Sequence, residues 1–439
     1  KVVQQVKGIA ESFRQLIPSC SVGCGYTLAR QIESEIGDAF RANRDCGLVF
    51  HRDGAFAWIA VPKRYAYFKI TREMIPLSGA EQEFLNYFTA TARGLVVESD
   101  IRNIKTTGMI ASRYSFEHVL VSRYLHRQRS GTLWTAALVL SELQQLSFQK
   151  YEGQACTSGF VFLSEPERQI AALEPEYRFQ PFEKFAKLDE SFFHTPAAYR
   201  YVDGRNAFYA IDHVQQVYGV ARLKDPTRYG RIARSAYDHV DPLLRGLEGR
   251  AWVVCSSRPH ELEVIARSGR HLRWNKSHWH FVDRSIAFKF LEARGIASSI
   301  ATALVQVTFA LSEMHVGTVL LIPDDAESLP RVAGQIDSSN LAQALIATYS
   351  GRLLPELVAD NSIIGLLGSD GLTILGKNGA IRSSGLIIDL QAEQPNKAAG
   401  GGRTQAALAA SRHGTVIKVS QDGPVSIFYG GTEVVKYNI

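Results

Sequence analysis

Val316-Gly-Thr-Val-Leu-Leu-Ile322 is the stretch on which the fold turns. A short, unbroken apolar run of this length reads as a central strand covered on both faces, the kind found in α/β sheets. Ahead of it, Ile300 to Met314 reads as a buried helix. After it come a helical segment, Asn340 to Tyr349, and then Ile363-Ile-Gly-Leu-Leu-Gly-Ser-Asp370-Gly371. Leu372-Thr-Ile-Leu375, the turn Gly376-Lys-Asn-Gly379 and Ala380 to Ile388 form a hairpin, with Asn-Gly supplying positive φ angles. This order predicts an α/β domain over 296–439, a mixed β-sheet flanked by helices.

The chemistry in this stretch begins with a glycine-rich loop, Ala398-Ala-Gly-Gly-Gly-Arg403-Thr404, that opens into a small-residue helix, Gln405 to Ser411. Glycines let backbone N–H groups approach an anion, and a helix N-terminus adds free donors and the positive end of its dipole. Arg403 supplies a charge-assisted fork for a phosphate. A second hairpin, Thr415 to Ser420 and Val425 to Tyr429 around Gln421-Asp-Gly-Pro424, brings Ser420 and Asp422 to a strand end. Taken singly, Asp370 is a turn residue, Gly400 to Gly402 a loose connection and Ser420 a strand-end hydroxyl; only the joint pattern gives them a function.

In order, the pieces are His315-Val-Gly-Thr-Val-Leu-Leu-Ile322, Asp370-Gly371, Gly401-Gly-Arg403-Thr-Gln-Ala-Ala407 and Val419-Ser420. Together they resemble the catalytic domain of the diadenylate cyclases. The resemblance covers about 140 residues and leaves 1–295 unexplained. It implies condensation of two ATP into cyclic di-AMP with release of pyrophosphate, in a homodimer or higher oligomer whose active sites face each other. It implies Asp370 and Arg403 as catalytic residues. Gly371, Leu372, Gly401, Gly402, Arg403, Thr404, Gln405 and Ser420 would contact the nucleotide. Mg²⁺ or Mn²⁺ would be held by Asp370 with Gln421 and Asp422, because in-line attack on a phosphate needs a cation to offset the developing charge. The sequence departs from the family in three places. Asp-Gly-Ala is Asp370-Gly371-Leu372 here, Arg-His-Arg is Arg403-Thr404-Gln405, and Ser-Glu is Ser420-Gln421. An amide binds a hard cation less well than a carboxylate, so a nucleotide-binding regulatory protein without turnover is the alternative.

The remainder reads as one or two α+β domains, divided at 155/156, that sense a small-molecule or protein signal. Gly47 to Val61 contains a hairpin around His51-Arg-Asp-Gly54; Glu81 to Ala92 and Leu133 to Leu146 read as helices. Gly159 to Leu163, Asn206 to Leu223 and Ala251 to Ser256 read as strands, and Arg284 to Ala293 as a helix stopped at Arg294-Gly295. His271, Trp274, His278, Trp279 and His280 form a local cluster read as ordinary strand side chains rather than as a metal site. Cys20, Cys24, Cys46, Cys156 and Cys255 are odd in number and scattered, which fits reduced, buried thiols better than a disulfide framework or a zinc site with His51.

The net charge of +6 is uneven. Residues 301–439 hold 9 Lys+Arg and 12 Asp+Glu, a net −3, which leaves +9 for 1–300. With no compact basic cluster interleaved with aromatics, a nucleic-acid partner is not expected. Ala297 to Leu311 is too short and too polar to span a bilayer, so a cytoplasmic protein without a membrane partner is expected.

Overall fold

Alternating side chains in 46–71 close a hairpin ladder, and the computed structural model follows it strand by strand. The structure describes residues 2–17, 19–72, 75–96, 114–127, 133–173, 177–225, 235–247, 251–266, 270–275, 278–336, 339–359, 362–368, 370–393 and 400–438. The protein is an α/β protein with mixed sheets. It divides into two compact units, 1–225 with 239–283, and 226–238 with 284–439. Both sides of the expected 155/156 division belong to the first unit.

In the first unit, β1 (Ser21–Thr27), β2 (Cys46–His51), β3 (Gly54–Val61) and β4 (Arg64–Thr71) make an antiparallel sheet in the order β1-β4-β3-β2. β5 (Lys150–Tyr151) and β6 (Gln154–Ala155) form a short ribbon. An eight-stranded sheet follows, built from β7 (Ser158–Leu163), β8 (Tyr177–Lys187), β9 (Ala207–Ile211), β10 (Gln216–Leu223), β11 (Ala251–Arg258), β12 (Glu261–Ala266), β13 (Arg270–Asn275) and β14 (His278–Val282). Its order is β14-β13-β12-β11-β7-β9-β10-β8, and β7 and β9 run parallel. Phe13, Phe68, Phe84, Phe88, Tyr124 and Phe281 interlock in the core, mostly edge to face, the geometry the ring quadrupole favours.

The stretch read as one helix over Glu81 to Ala92 is two, Gly79–Leu85 and Phe88–Val96, with a turn at Asn86 and Tyr87. Ser78 and Glu81 form a capping box at the first: Ser78 Oγ accepts from the Glu81 N–H, and a Glu81 carboxylate oxygen accepts from the Ser78 N–H. The cysteines are free, as expected, but Cys20, Cys24 and Cys46 are only half-buried; Cys156 and Cys255 are the buried pair.

In the second unit, helices Arg284–Ala293 and Ser298–Glu313 precede β15 (Thr318–Pro323). Gly295, at φ +77°, ends the first helix, and the Ile296 N–H reaches back to the Leu291 carbonyl in a Schellman closure. The same closure ends the second helix, from the Val316 N–H to the Leu311 carbonyl, but the left-handed residue is His315, φ +56°. The sheet continues with β16 (Val332–Gln335), β17 (Leu372–Leu375), β18 (Ile381–Ile388), β19 (Gly414–Val419), β20 (Val425–Tyr429) and β21 (Thr432–Tyr437). Its order is β16-β18-β17-β15-β19-β20-β21, with β15 and β17 parallel and the other pairs antiparallel.

Helix Gly402–Ala410 packs on this sheet through Ala407 and Ala410, against Val319, Val416 and Phe428. In the β17–β18 turn, Gly379 alone takes the positive φ, +78°. Asn378 stays in the ordinary region because the turn carries one extra residue, unlike a two-residue Asn-Gly corner. No helix among the described residues is long and apolar enough to cross a membrane.

Candidate functional site

Three strand ends meet at one end of the second unit's sheet, in its centre. Thr318 of β15 pairs with Val419 of β19, and β17 begins at Leu372 beside β15. Gly317 and Gly371 therefore sit where two parallel strands begin, and Ser420 where the antiparallel β19 ends. Sites in open parallel sheets ordinarily lie beyond the carboxyl ends of the strands; here that description fits β19 and also β18, whose last residues pair with the start of β17.

Asp370 and Gly371 form the corner before β17. Gly371 has φ +95°, and a Cβ there would lie 2.8 Å from the Gly385 carbonyl carbon, so only glycine fits. The Asp370 carboxylate accepts from the Gly371 N–H at 3.1 Å and from Arg403 Nη2 at 3.1 Å, both through Oδ1. Arg403 leaves the first turn of helix Gly402–Ala410 and crosses Gly317, whose missing side chain makes the room. A Cβ at Gly317 would stand 2.6 Å from Arg403 Nη1 and 3.1 Å from Gln421 Cγ. The Asp370–Arg403 side chains are 66% and 31% exposed, and pairs of this kind contribute only about 0–1 kcal/mol to stability. The fold does not depend on this ion pair.

Gln421 and Asp422 lie in the turn between β19 and β20, closed by Ser420 N–H to Pro424 O and Gly423 N–H to Ser420 O. Helix Ser298–Glu313 and its exit hold that turn. Ser312 Oγ donates to the Gly423 carbonyl at 2.5 Å, and His315 Nδ1 donates to the Gln421 carbonyl at 3.1 Å. The left-handed backbone at His315 thus coincides with a contact that fixes the turn.

At the start of helix Gly402–Ala410, Gly401 is the N-cap and no side chain caps it. A Cβ at Gly401 or Gly402 would meet nothing, whereas Gly400, φ +125°, could carry none without strain. Thr404 and Gln405 are engaged elsewhere. Lys418 Nζ donates to Thr404 Oγ1 at 2.9 Å, and Gln405 Nε2 donates to the Gly400 carbonyl at 3.1 Å. Lys418 was not singled out in the sequence, where it is an ordinary polar position of an alternating strand. Burial holds its pKa below the usual lysine value, and Lys436 and Arg403 press in the same direction against Glu433.

Two cavities flank Asp370. The larger, about 640 Å³, is lined by Asp370, Gly371, Leu372, Gly402, Arg403 and apolar side chains from β18 and β15. That size lies within the ~300–1,000 Å³ usual for small-molecule sites. The smaller, about 310 Å³, also touches Asp370 and lies under helix Asn340–Tyr349. Of the expected nucleotide residues, Gly371, Leu372, Gly402 and Arg403 line the larger cavity. Gly401 stands at the helix start just outside it, and Thr404, Gln405 and Ser420 do not line it. Among the described residues no three His, Cys, Asp or Glu side chains gather as a metal site.

The histidines of the first unit's histidine and tryptophan cluster have ordinary partners, as read. His271 pairs with Glu263, His278 with Glu117 at 3.1 Å, and His280 Nδ1 donates to the Gln15 carbonyl at 2.8 Å. Trp274 and Trp279 face each other in register across β13 and β14 and are buried.

No protein-family model matches this chain, and no curated protein matches it. Among solved structures, it is similar to one described as the crystal structure of the hypothetical membrane spanning protein from Bacillus cereus. The likeness covers 35% of this chain and 71% of that one at 19% identity, with a TM-score of 0.25.

Proposed function

We propose that the second unit is a diadenylate cyclase that condenses two ATP into cyclic di-AMP with release of pyrophosphate. The observation that carries this reading is the convergence of Asp370, Gly371 and Arg403 at the mouth of the larger cavity, beside a helix start that no side chain caps. An anion there meets the Gly402 end of the helix and the Arg403 guanidinium, while the apolar walls shed water. Arg403 is exchangeable between Asp370 and a phosphate because its pair with Asp370 is weak.

The reading needs a divalent cation. Mg²⁺ in nucleotide sites takes one or two carboxylates together with substrate phosphates rather than a dedicated protein cage. Asp370 fits that role, with Gln421 and Asp422 on the turn that flanks Arg403 across Gly317. When bound, the cation offsets phosphate charge and orients the triphosphate. Two ATP must meet, so the reading includes a homodimer or higher oligomer with facing sites, a cytoplasmic location where ATP is available, and regulation by the first unit.

A second reading, nucleotide binding without turnover, draws support from the amide at Gln421 and from Thr404 and Gln405 being turned to internal partners. Purified protein given ATP with Mg²⁺ or Mn²⁺, with the product identified by mass, separates the two. Cyclic di-AMP supports the enzyme. Thermal stabilisation by ATP without product or pyrophosphate supports the binding protein.

A further inference from the structure

We propose that Gln335 reads the base of a 6-aminopurine nucleotide in the smaller cavity beside Asp370. This rests on the nucleotide reading above and extends it to the half of the ligand that the phosphate face does not hold. Asp370 and Ile336 line both cavities, so one ligand can occupy the two with its middle at the Asp370 carboxylate. The larger space offers Gly402 and Arg403 to an anionic end. The smaller offers Ile336, Leu345, Leu366 and the Tyr349 ring, with Gln335 as its carboxamide. Apolar walls, one aromatic ring and a few placed polar groups suit a flat heteroaromatic body with a hydrogen-bonding edge.

Gln335 has a fixed orientation. Its Nε2 donates to the Ser384 carbonyl at 3.2 Å, and since a carbonyl can only accept, the amide cannot be the other way round. One N–H is thereby used, and the second N–H and the carboxamide oxygen remain for a ligand. A donor next to an acceptor matches the N7 and 6-amino edge of adenine, whereas guanine presents two acceptors on that edge. The contact therefore both orients the base and discriminates it.

The test uses the full chain and three probes, ATP, GTP and inorganic tripolyphosphate, with Kd measured for each on wild type, Gln335→Leu and Leu345→Trp. Wild type should prefer ATP over GTP by about ten-fold or more. Gln335→Leu should reduce that preference to within about three-fold and leave tripolyphosphate binding unchanged, which also reports that the variant is folded. Leu345 is half-exposed at the cavity, so Leu345→Trp should weaken both nucleotides and spare tripolyphosphate. An ATP preference that survives Gln335→Leu, or wild-type ATP affinity in Leu345→Trp, overturns the assignment. If the preference depends on Gln335 but no cyclic product forms, the base pocket stands and the cyclase reading falls. If neither ATP nor tripolyphosphate binds wild type, both fall.

Discussion

Two arginine–carboxylate pairs, one in each unit, show how the same chemistry serves architecture in one place and stands at a candidate site in the other. Arg72 and Glu81 in the first unit are 6% and 3% exposed and meet through two contacts, 2.5 and 3.0 Å. The same carboxylate closes the capping box with Ser78. Burial works against the charge on Arg72, but Glu81, with a lesser part from Cys20, more than offsets it and raises the guanidinium pKa. Arg403 and Asp370 in the second unit meet through one contact at a cavity mouth, largely in solvent. A buried pair that loses one member leaves a charge stranded, whereas an exposed pair returns both members to water. What is costly to break holds the fold, and what is easily broken is available to a ligand.

The sharpest break in this comparison is Glu81→Ala, which strands Arg72 and should cost about 3–5 kcal/mol in denaturant unfolding. Gly371→Ala comes next. It forces a side chain into a left-handed backbone and against Gly385, with an expected loss on the order of 1–3 kcal/mol together with loss of product. Gly317→Ala should differ from it in kind. The atom in the way is the end of the flexible Arg403 side chain, so stability should change by less than about 0.5 kcal/mol while ATP binding weakens. Equal stability losses for the two glycine variants would contradict that distinction.

The units should also part in acid. Burial lowers the pKa of His118 and His280 in the first unit to about 4, from an ordinary value near ~6.5. The unfolded chain then binds protons that the folded one refuses, so this stability is complete above the unfolded value and is lost as pH falls from about 6.5 towards 4. A pH series of thermal melts on the full chain should show the loss in that window, and His280→Asn should shrink it.

Long elements with a regular pattern were legible from sequence: the 318–323 strand, the hairpins around 51–54, 376–379 and 420–424, and the helices at 133–146 and 284–293. The break at Asn86–Tyr87 was not, because Phe84, Leu85 and Phe88 are all buried and their apolar pattern continues through it. β16 and β21 were missed because edge strands carry mixed, half-exposed residues such as Val332 and Thr432. Asp370, Gly371, Gly402 and Arg403 were picked out as candidates through motifs and line one cavity in the structure. Lys418 and Gln335 were not found, since their placement depends on partners 14 and 49 residues away in sequence. No local pattern carries that information.

The most direct test of the account sets Asp370→Asn beside wild type in two measurements on the same samples, melting temperature and cyclic di-AMP formed from ATP. We predict a melting temperature within ~2 °C of wild type, as an exposed pair requires, and no product. A large fall in melting temperature would place Asp370 in the architecture, and product at the wild-type rate would remove it from the chemistry.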